Sequence, residues 1–283
     1  MAVHDELGTR MKEYYEQIPK TKLMRRTPVA IRIDGKAFHS FTRGFAKPFD
    51  EILIKAMQYT TKYLCENIQG CVLGYTQSDE ITLILIDYKK LNSDAWFDYE
   101  VQKLCSISAS MATMSFNKFF AEEVRNFDLA WKHGFTPQSV EIQQEHQKYM
   151  EVLYRAIEKG AMFDARCFNI PKEEVANLIY WRQLDATRNS IQMVGQANFS
   201  HKELQNKSCN QIQDMLMTQR GINWNNFPVY QKRGSCVIKK MLGGMDDFGA
   251  PCIRSQWVID IEIPVFKSDD RDYIDKLLKA EEE

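Results

Sequence analysis

The stretch Val29-Ala-Ile-Arg-Ile-Asp-Gly-Lys-Ala-Phe-His39 decides how the rest of the chain is interpreted. Its branched aliphatic residues recur at every second position, and this period predicts a strand with one buried face. The strand ends at Asp34, whose carboxylate can project beyond the sheet edge and bind a hard cation. Gly35 then lets the backbone turn and approach a ligand closely. Asp34 is therefore the first candidate site residue, although an Asp-Gly pair by itself more often marks a simple turn.

Residues 71–87 supply a second acidic position. Two apolar, β-rich segments flank Gln77-Ser-Asp-Glu80, which predicts a hairpin with Asp79 and Glu80 at its tip. The second arm, 81–86, is apolar almost throughout, as in a central strand that is covered on both faces. A Ser-Asp-Glu tip alone is usually a solvated turn, but two acidic strand ends in one chain favour a metal site.

The order of the predicted elements favours an α+β fold of the ferredoxin-like type. It runs strand, helix, hairpin, helix, strand, at residues 29–34, 48–67, 71–87, 96–125 and 163–170. In this split βαβ arrangement the sheet is antiparallel with helices on one face, and the first strand pairs with a hairpin strand. Asp34 would then meet Asp79 and Glu80 at one edge of the sheet.

The remaining segments predict two portions with a soft boundary. We expect a catalytic portion at 1–170, with a helical insertion at about 136–160 that begins at Thr136-Pro137, and a mostly helical portion at 171–283. Further expectations are helices at 171–182 and 183–198, capping boxes at Ser200 and Ser208, a helix stop at Gly221, short strands near 236–240 and 257–263, a loop at 243–247 and a fraying tail from Lys267. Residues 1–20 predict a helical arm that packs on the body through Leu7, Met11, Tyr14 and Ile18.

The composition excludes several classes of protein. The chain has 283 residues, 44% hydrophobic and 27% charged, which suffices for a real core. A formal net charge of -1 gives no global basic field, although local basic patches can still exist. Seven scattered cysteines without a C-x-x-C pair indicate reduced thiols in a cytoplasmic protein. We expect no membrane association, because no apolar run nears the ~18 residues of a span and the N-terminus lacks a signal-peptide profile.

Asp34, Asp79 and Glu80 on a small antiparallel sheet suit two-metal catalysis. Two Mg²⁺ ions roughly 3.5–4 Å apart can bridge shared carboxylates, polarise phosphorus and lower the pKa of an attacking hydroxyl. Mg²⁺ usually takes one or two carboxylates plus substrate phosphates, and phosphoryl transfer needs no nucleophilic side chain. The P-loop, dinucleotide-binding, zinc-protease and serine-hydrolase motifs are all missing from the sequence.

A triphosphate could be held close to these carboxylates. The candidate groups are Lys36, Lys47, Ser78 and the amides after Gly35, whose carbonyl could complete a metal's octahedron. The helix predicted from Pro48 adds an N-terminus of partial positive charge beside Lys47, which makes it a candidate phosphate site. His39 alone would more often be a structural or surface histidine.

Four motifs together resemble the tRNA(His) guanylyltransferase family, and most of all its bacterial guanylyltransferase-like branch, the 3′–5′ RNA polymerases. They are Arg32-Ile-Asp-Gly-Lys-Ala-Phe-His-Ser-Phe41, Lys47-Pro48, Gln77-Ser-Asp-Glu80 and Tyr180-Trp-Arg-Gln-Leu-Asp185. The resemblance covers about residues 1–200, with weaker similarity to the C-terminus.

The resemblance implies a polymerase/cyclase palm that works in reverse. Such enzymes use ATP to adenylylate a tRNA 5′-monophosphate, and the 3′-hydroxyl of an incoming nucleoside triphosphate, such as GTP, then expels AMP. From a 5′-triphosphate, pyrophosphate leaves instead. By position, Asp34 and Asp79 would hold two Mg²⁺ ions with the Gly35 carbonyl, and Glu80 matches the third catalytic carboxylate. The nucleotide-binding residues would be Asp34, Gly35, Lys36, Ala37, Phe38, His39, Lys47, Ser78 and Asp79. The family also implies a homotetramer.

The chain departs from the family after the Trp-Arg-Gln motif. Guanylyltransferases proper carry His-Ile-Asn-Asn where this chain has Thr187-Arg-Asn-Ser190, so only Asn189 keeps its place. This favours templated repair of 5′-truncated tRNAs, with untemplated G addition to tRNA(His) as the alternative role. Candidate tRNA contacts are Arg182, Asp185, Arg188, Asn189, Lys232 and Arg233, within a wider basic set that includes Lys20, Lys22, Arg25, Arg26, Lys239 and Lys240.

Two other functions stay open at this point. A nucleotide cyclase shares the palm-like fold, although the motif at Trp181–Asp185, which resembles a tRNA-facing motif of the family, argues against it. A non-catalytic RNA-binding protein with a relict palm is the second, but binding alone gains nothing from acidic residues kept on central strands.

Overall fold

A computed structural model describes residues 5–133, 139–245 and 251–280. Its α-helices are α1 (Glu6–Met11), α2 (Phe38–Phe41), α3 (Glu51–Asn67), α4 (Val101–His133), α5 (Val140–Lys159), α6 (Val175–Asn198), α7 (His201–Leu204), α8 (Cys209–Arg220), α9 (Val229–Arg233) and α10 (Asp272–Asp275). Its strands are β1 (Val29–Gly35), β2 (Cys71–Gln77), β3 (Glu80–Leu85), β4 (Phe163–Asn169), β5 (Ser235–Met245) and β6 (Pro251–Asp260). No helix in these ranges is long and apolar enough to cross a membrane.

The strands of the described chain form one antiparallel sheet in the order β4-β1-β3-β2-β5-β6. Asp34 in β1 lies opposite Glu80 in β3 and Asp164 in β4. Because β5 pairs with β2, the sheet continues from the N-terminal half of the chain into the C-terminal half. The α+β class and the antiparallel sheet predicted from the sequence are confirmed.

Both faces of the sheet are covered by helices. On one face, α3 and α4 bury residues such as Ile33 and Leu83, and on the other α6 and α10 bury residues such as Ala30 and Ile84. The prediction that β3 is covered on both faces is confirmed, since Leu83 and Ile84 are both fully buried. The helices of the predicted palm, α3 and α4, pack on one face, and the C-terminal helices α6 and α10 pack on the second face.

The long hairpin of β5 and β6 corrects two predictions. The strands expected near 236–240 and 257–263 are longer, because continuous cross-strand pairing from Cys236–Asp260 to Met245–Pro251 overrides the weak strand signal of glycines and lysines. The predicted loop at 243–247 is wrong for its first three residues, which lie in β5. Asp246 and Asp247 lie outside the described residues.

Several helix boundaries also differ from the prediction. The break predicted at Arg182 and Gln183 is absent, because α6 is continuous there. Both side chains are buried, and they donate to Glu80 and to the carbonyl of Pro264, respectively. The helix predicted at 96–125 begins with a 3₁₀ turn and extends to His133. In the insertion, Ser139 caps α5, and Thr136-Pro137 lies outside the described residues. The capping boxes at Ser200 and Ser208 and the left-handed Gly221 are confirmed.

The predictions for the two ends of the described chain are both wrong. The apolar residues of the N-terminal arm do not pack on the body: Leu7 is 60% exposed and Ile18 is 75% exposed. The tail from Lys267 does not fray, because α10 and its flanking 3₁₀ turns place Ile274 and Leu278 in the core with no exposed surface.

Candidate active site

The ends of β1 and of the β2–β3 hairpin are joined at one edge of the sheet. The amide of Gly35 donates a hydrogen bond to the carbonyl of Asp79 at 3.1 Å, and Asp34 is the cross-strand partner of Glu80. Ser78, in the two-residue turn, has a left-handed φ of 49°. The structure therefore brings together the acidic residues that the sequence places at this edge.

Two of these carboxylates, Asp79 and Asp34, have a raised pKa. Burial raises the pKa of Asp79 to about 6, although the Ser78 hydroxyl donates to its carboxylate at 3.0 Å and opposes the shift. Burial also raises the pKa of Asp34, and the negative charges of Glu80 and Asp164 raise it further. Across the described ranges, neither Asp34 nor Asp79 forms an ion pair.

This donor set fits a hard divalent cation that brings further ligands with it. Asp34 and Asp79 are two neighbouring, partly buried carboxylates, and an added cation would relieve their mutual repulsion. Among the residues that the structure describes, no group of three or more His, Cys, Asp or Glu side chains surrounds a common metal position. Two protein carboxylates completed by substrate phosphates are the usual arrangement for Mg²⁺.

Glu80 faces a different set of partners. Its Oε1 accepts from Arg32 at 2.6 Å, and its Oε2 accepts from Arg182 at 2.6 Å and from Gln77 at 2.6 Å. Arg182 is only 5% exposed and also donates to Asp185 at 2.6 Å. The carboxylate of Glu80 is therefore saturated by cations and a side-chain amide of the protein itself, and the burial of Arg182 does not favour its predicted tRNA contact.

A cavity of about 550 Å³ opens beside Asp79. Most predicted nucleotide-binding residues line it: Gly35, Ala37, Phe38, His39, Lys47, Ser78 and Asp79. Asp34 and the exposed Lys36 do not belong to this lining. Local sequence patterns do not predict two further lining residues, Met193 and Gln196, because α6 brings them to the cavity from a distant part of the chain.

The turn after β1 packs against a cluster of aromatic side chains. Phe38 is 5% exposed and lies with its ring centroid 5.1 Å from Phe41 and 5.2 Å from Phe163. A Cβ at Gly35 would lie 2.2 Å from the Phe38 ring, so glycine is required for this close approach. Ala37 adopts a left-handed φ of 54°. Phe38 therefore belongs both to the hydrophobic core and to the wall of the cavity.

The start of α3 is not a free phosphate site. Asp50 caps the helix by accepting from the amide of Leu53 at 3.0 Å, and it also accepts from the amide of Ala46 at 3.0 Å. Tyr149 of α5 donates its hydroxyl to the same carboxylate at 2.6 Å. The predicted phosphate site is wrong here, because a buried carboxylate already occupies this helix end. Lys47 nevertheless lines the cavity.

Many of the basic candidates for tRNA contact are bound to the protein itself. Lys232 is 7% exposed and donates to the carbonyl of Asn225 at 2.6 Å, which does not favour its predicted tRNA contact. Arg188 pairs with Asp185. Other pairs within the described chain are Lys20–Glu16, Lys22–Asp98, Arg25–Asp87 and Lys240–Asp260, while Arg233 and Lys239 lie over the rings of Trp224 and Trp257. The described part of the chain therefore gives little support to a single basic tRNA path.

Comparisons with known proteins point to one protein family. The family model described as tRNAHis guanylyltransferase (Thg1) matches residues 8–171. A solved bacterial tRNA(His) guanylyltransferase (Thg1)-like protein in complex with ATP is 41% identical, with a TM-score of 0.75 over 97% of this chain and 100% of that chain. Another in complex with GTP is 39% identical, with a TM-score of 0.71 over 97% and 99%.

Curated relatives point the same way. The tRNA(His) guanylyltransferase of Saccharomyces cerevisiae is 28% identical over 226 residues, which cover 75% of this chain and 82% of that protein. The region matched by the family model includes β1, the β2–β3 hairpin and β4, which carry the acidic sheet edge. This chain therefore belongs to the tRNAHis guanylyltransferase family of nucleotidyltransferases.

Proposed function

We propose that this protein is a Mg²⁺-dependent nucleotidyltransferase that adds nucleotides in the 3′–5′ direction to tRNA 5′ ends. The observation that carries the proposal is the cavity lined by Ala37, His39 and Lys47, which opens beside the buried carboxylate of Asp79. Its volume of about 550 Å³ suits a nucleoside triphosphate. Bacterial relatives solved with ATP and with GTP support both nucleotides as substrates.

Asp34 and Asp79 would hold Mg²⁺, with the Gly35 carbonyl as a further oxygen ligand. When bound, the metal supplies Lewis-acid polarisation of phosphorus and lowers the pKa of an attacking hydroxyl. The protein's own groups position the nucleotide: Lys47 neutralises the triphosphate, and the bare Cα of Gly35 lets the chain turn tightly over Phe38. The Ser78 hydroxyl keeps the Asp79 carboxylate oriented.

The family resemblance implies two displacements at phosphorus. An oxygen of the tRNA 5′-monophosphate attacks the α-phosphorus of ATP, and pyrophosphate leaves with the electrons of the broken bond. The 3′-hydroxyl of the incoming nucleotide then loses its proton and attacks the activated 5′-phosphorus, and AMP leaves. Neither step needs a covalent protein intermediate, because positioning and charge stabilisation supply the catalysis.

We assign Glu80 the role of a positioning residue rather than a metal ligand. Its two oxygens bind Arg32 and Arg182. These pairs hold the start of β3 in place, directly after Asp79. The proposal therefore keeps Asp34 and Asp79 as the catalytic carboxylates.

We also propose that the catalytic unit is a ferredoxin-like palm at 1–170, followed by the portion at 171–283. The order β4-β1-β3-β2, with α3 and α4 on one face, supports the palm. The insertion contributes α5, whose Tyr149 braces Asp50 at the cavity wall. A cytoplasmic location and a homotetramer remain predictions from the sequence and the family resemblance.

Repair of 5′-truncated tRNA is the role we favour over untemplated G addition. Of the residues that replace the family's His-Ile-Asn-Asn run, Thr187 donates to the carbonyl of Gln183 at 2.9 Å, and Arg188 pairs with Asp185 while 62% of its side chain stays exposed. Asn189 lines a small side cavity next to the nucleotide cavity. Because only Asn189 keeps its place in that run, we expect a complementary template strand to select the incoming nucleotide.

The test is incubation of a 5′-truncated, monophosphorylated tRNA with ATP, GTP and Mg²⁺, followed by sequencing of the 5′ ends. We expect a 5′-adenylylated intermediate and additions that follow the opposing base when that base is changed. Guanosine added regardless of the opposing base would support the alternative role. RNA binding without any 5′-end product would support a relict palm, and cyclic product from ATP or GTP alone would support a cyclase.

A further inference from the structure

Trp181 is a large aromatic side chain that the fold leaves half in solvent. It lies in α6, next to the buried Arg182, and 52% of its surface is exposed. A tryptophan of the core would lose most of its surface on folding, so this ring contributes less to stability than its size allows.

Two arginines hold the exposed ring in place. The guanidinium carbon of Arg182 lies 4.3 Å from the Trp181 ring centroid, and that of Arg32 lies 5.3 Å from it. Both guanidinium groups are anchored on Glu80, each by a hydrogen bond of 2.6 Å. The ring is therefore fixed by charged neighbours that cannot themselves move freely, and it has little rotational freedom to lose when a ligand binds.

The position of the ring relates it to the catalytic edge. Arg32 and Asp34 are two residues apart in β1, so they share one face of the sheet about 7 Å apart along the strand. The nucleotide cavity meets α6 at Met193, twelve residues after Trp181, or about 18 Å along the helix axis. Trp181 and the nucleotide cavity thus lie at opposite ends of the helix that crosses the catalytic edge.

We propose that Trp181 is a stacking platform for the terminal base at the 5′ end of the RNA acceptor. This inference rests on the proposed function and deepens it, because the reaction joins a nucleoside triphosphate to an RNA end and the cavity accounts only for the triphosphate. A base stacked on Trp181 would lie close to Arg32, on the same strand as Asp34 and two residues from it. Stacking is indifferent to base identity, which suits an enzyme that extends RNA ends of varied sequence.

The experiment compares Trp181→Leu and Trp181→Phe with the wild type. In the adenylylation of a 5′-monophosphorylated RNA, we expect Trp181→Leu to raise the KM for RNA roughly 5- to 100-fold and to leave the KM for ATP unchanged. Trp181→Phe keeps an aromatic face and should stay close to the wild type. Met217→Ala in α8 removes an equally exposed apolar side chain (56% exposed) far from the ring in sequence and serves as the control.

A second readout does not depend on turnover. The chain has five tryptophans, and we expect RNA to quench their fluorescence in the wild type and much less in Trp181→Phe. An unchanged RNA KM in a folded Trp181→Leu variant, or unchanged quenching in Trp181→Phe, would overturn the inference. If the wild type forms no adenylylated RNA, the proposed function fails, while the quenching titration still decides whether RNA lies on Trp181.

Discussion

Arg182 of α6 binds the carboxylate of Glu80 through two hydrogen bonds, from Nη2 at 2.6 Å and from Nε at 3.1 Å. Both donors reach the same oxygen, Oε2, and they join the acidic hairpin tip to a helix residue that lies 102 residues further along the chain. Because the pair is largely buried, the residue next to Asp79 serves as an anchor between the sheet and α6.

Removal of the Glu80 carboxylate should therefore destabilise the fold. We expect Glu80→Ala to lower the free energy of unfolding by roughly 1–3 kcal/mol, because the buried Arg182 would lose two hydrogen bonds while its pair with Asp185 remains. Urea unfolding measures the change. The control is Lys132→Ala, which removes a surface pair with Asp128 and should cost less than about 1 kcal/mol. Wild-type stability of Glu80→Ala would contradict the anchor role.

Gly35 should tolerate no side chain. Gly35→Ala places a methyl group 2.2 Å from the Phe38 ring, and we expect a loss of roughly 1–3 kcal/mol of stability together with weaker nucleotide binding. Gly243→Ala is the matched control, since a Cβ there meets no atom within 4 Å. Thermal unfolding and ATP titration of both variants check the prediction, and equal behaviour of the two would refute the steric argument.

Lys47 should matter more than Lys36 for the triphosphate. Lys47 lines the cavity and Lys36 lies outside it, so we expect Lys47→Ala to raise the KM for ATP about tenfold or more, through the loss of a charge-assisted contact with phosphate. Lys36→Ala should have a clearly smaller effect. Steady-state kinetics at varied ATP measure both. A larger effect of Lys36→Ala would move the triphosphate out of this cavity.

The raised pKa of Asp79 predicts a pH dependence for the metal-free protein. Between about pH 4 and pH 6 the folded protein keeps a proton that the unfolded chain has released, so the contribution of this group to stability is lost as the pH rises. The loss is roughly 2–3 kcal/mol for a shift to about 6. Unfolding in the presence of a chelator, from pH 4.5 to 7, should show a flatter profile for Asp79→Asn. Identical slopes for the variant and the wild type would contradict this assignment.

Local sequence patterns predicted the acidic edge of the sheet. The features that they did not predict depend on contacts between distant parts of the chain. Asp34 and Asp79 follow from strand alternation and a two-residue turn, which are both short-range signals. Arg182, which binds Glu80, and the cavity residues Met193 and Gln196 come from α6, and no local pattern reports how that helix crosses the sheet. Asp164 lay on a predicted strand, but only the register of β4 against β1 places it opposite Asp34.

The positions of Lys and Arg in the sequence do not show which of them are exposed to RNA. Lys232 looked like a surface cation in the sequence, yet it is buried with its ammonium on a backbone carbonyl. Trp181 was noticed only as part of a motif, and its exposure and its two arginine partners emerge from the fold. The prediction of a fraying tail was wrong for a similar reason, because Ile274 and Leu278 pack in the same core cluster as α6 and the charged sequence of the tail does not reveal this contact.

The central claim is that Asp34 belongs to the catalytic machinery of nucleotide addition, and Asp34→Ala tests it most directly. The measurement is 5′-end extension of a truncated, monophosphorylated tRNA, with RNA affinity measured in parallel by fluorescence. We predict that extension falls by several orders of magnitude while RNA binding largely survives, because binding depends mainly on contacts to phosphates and bases. Extension by Asp34→Ala at the wild-type rate would contradict the account.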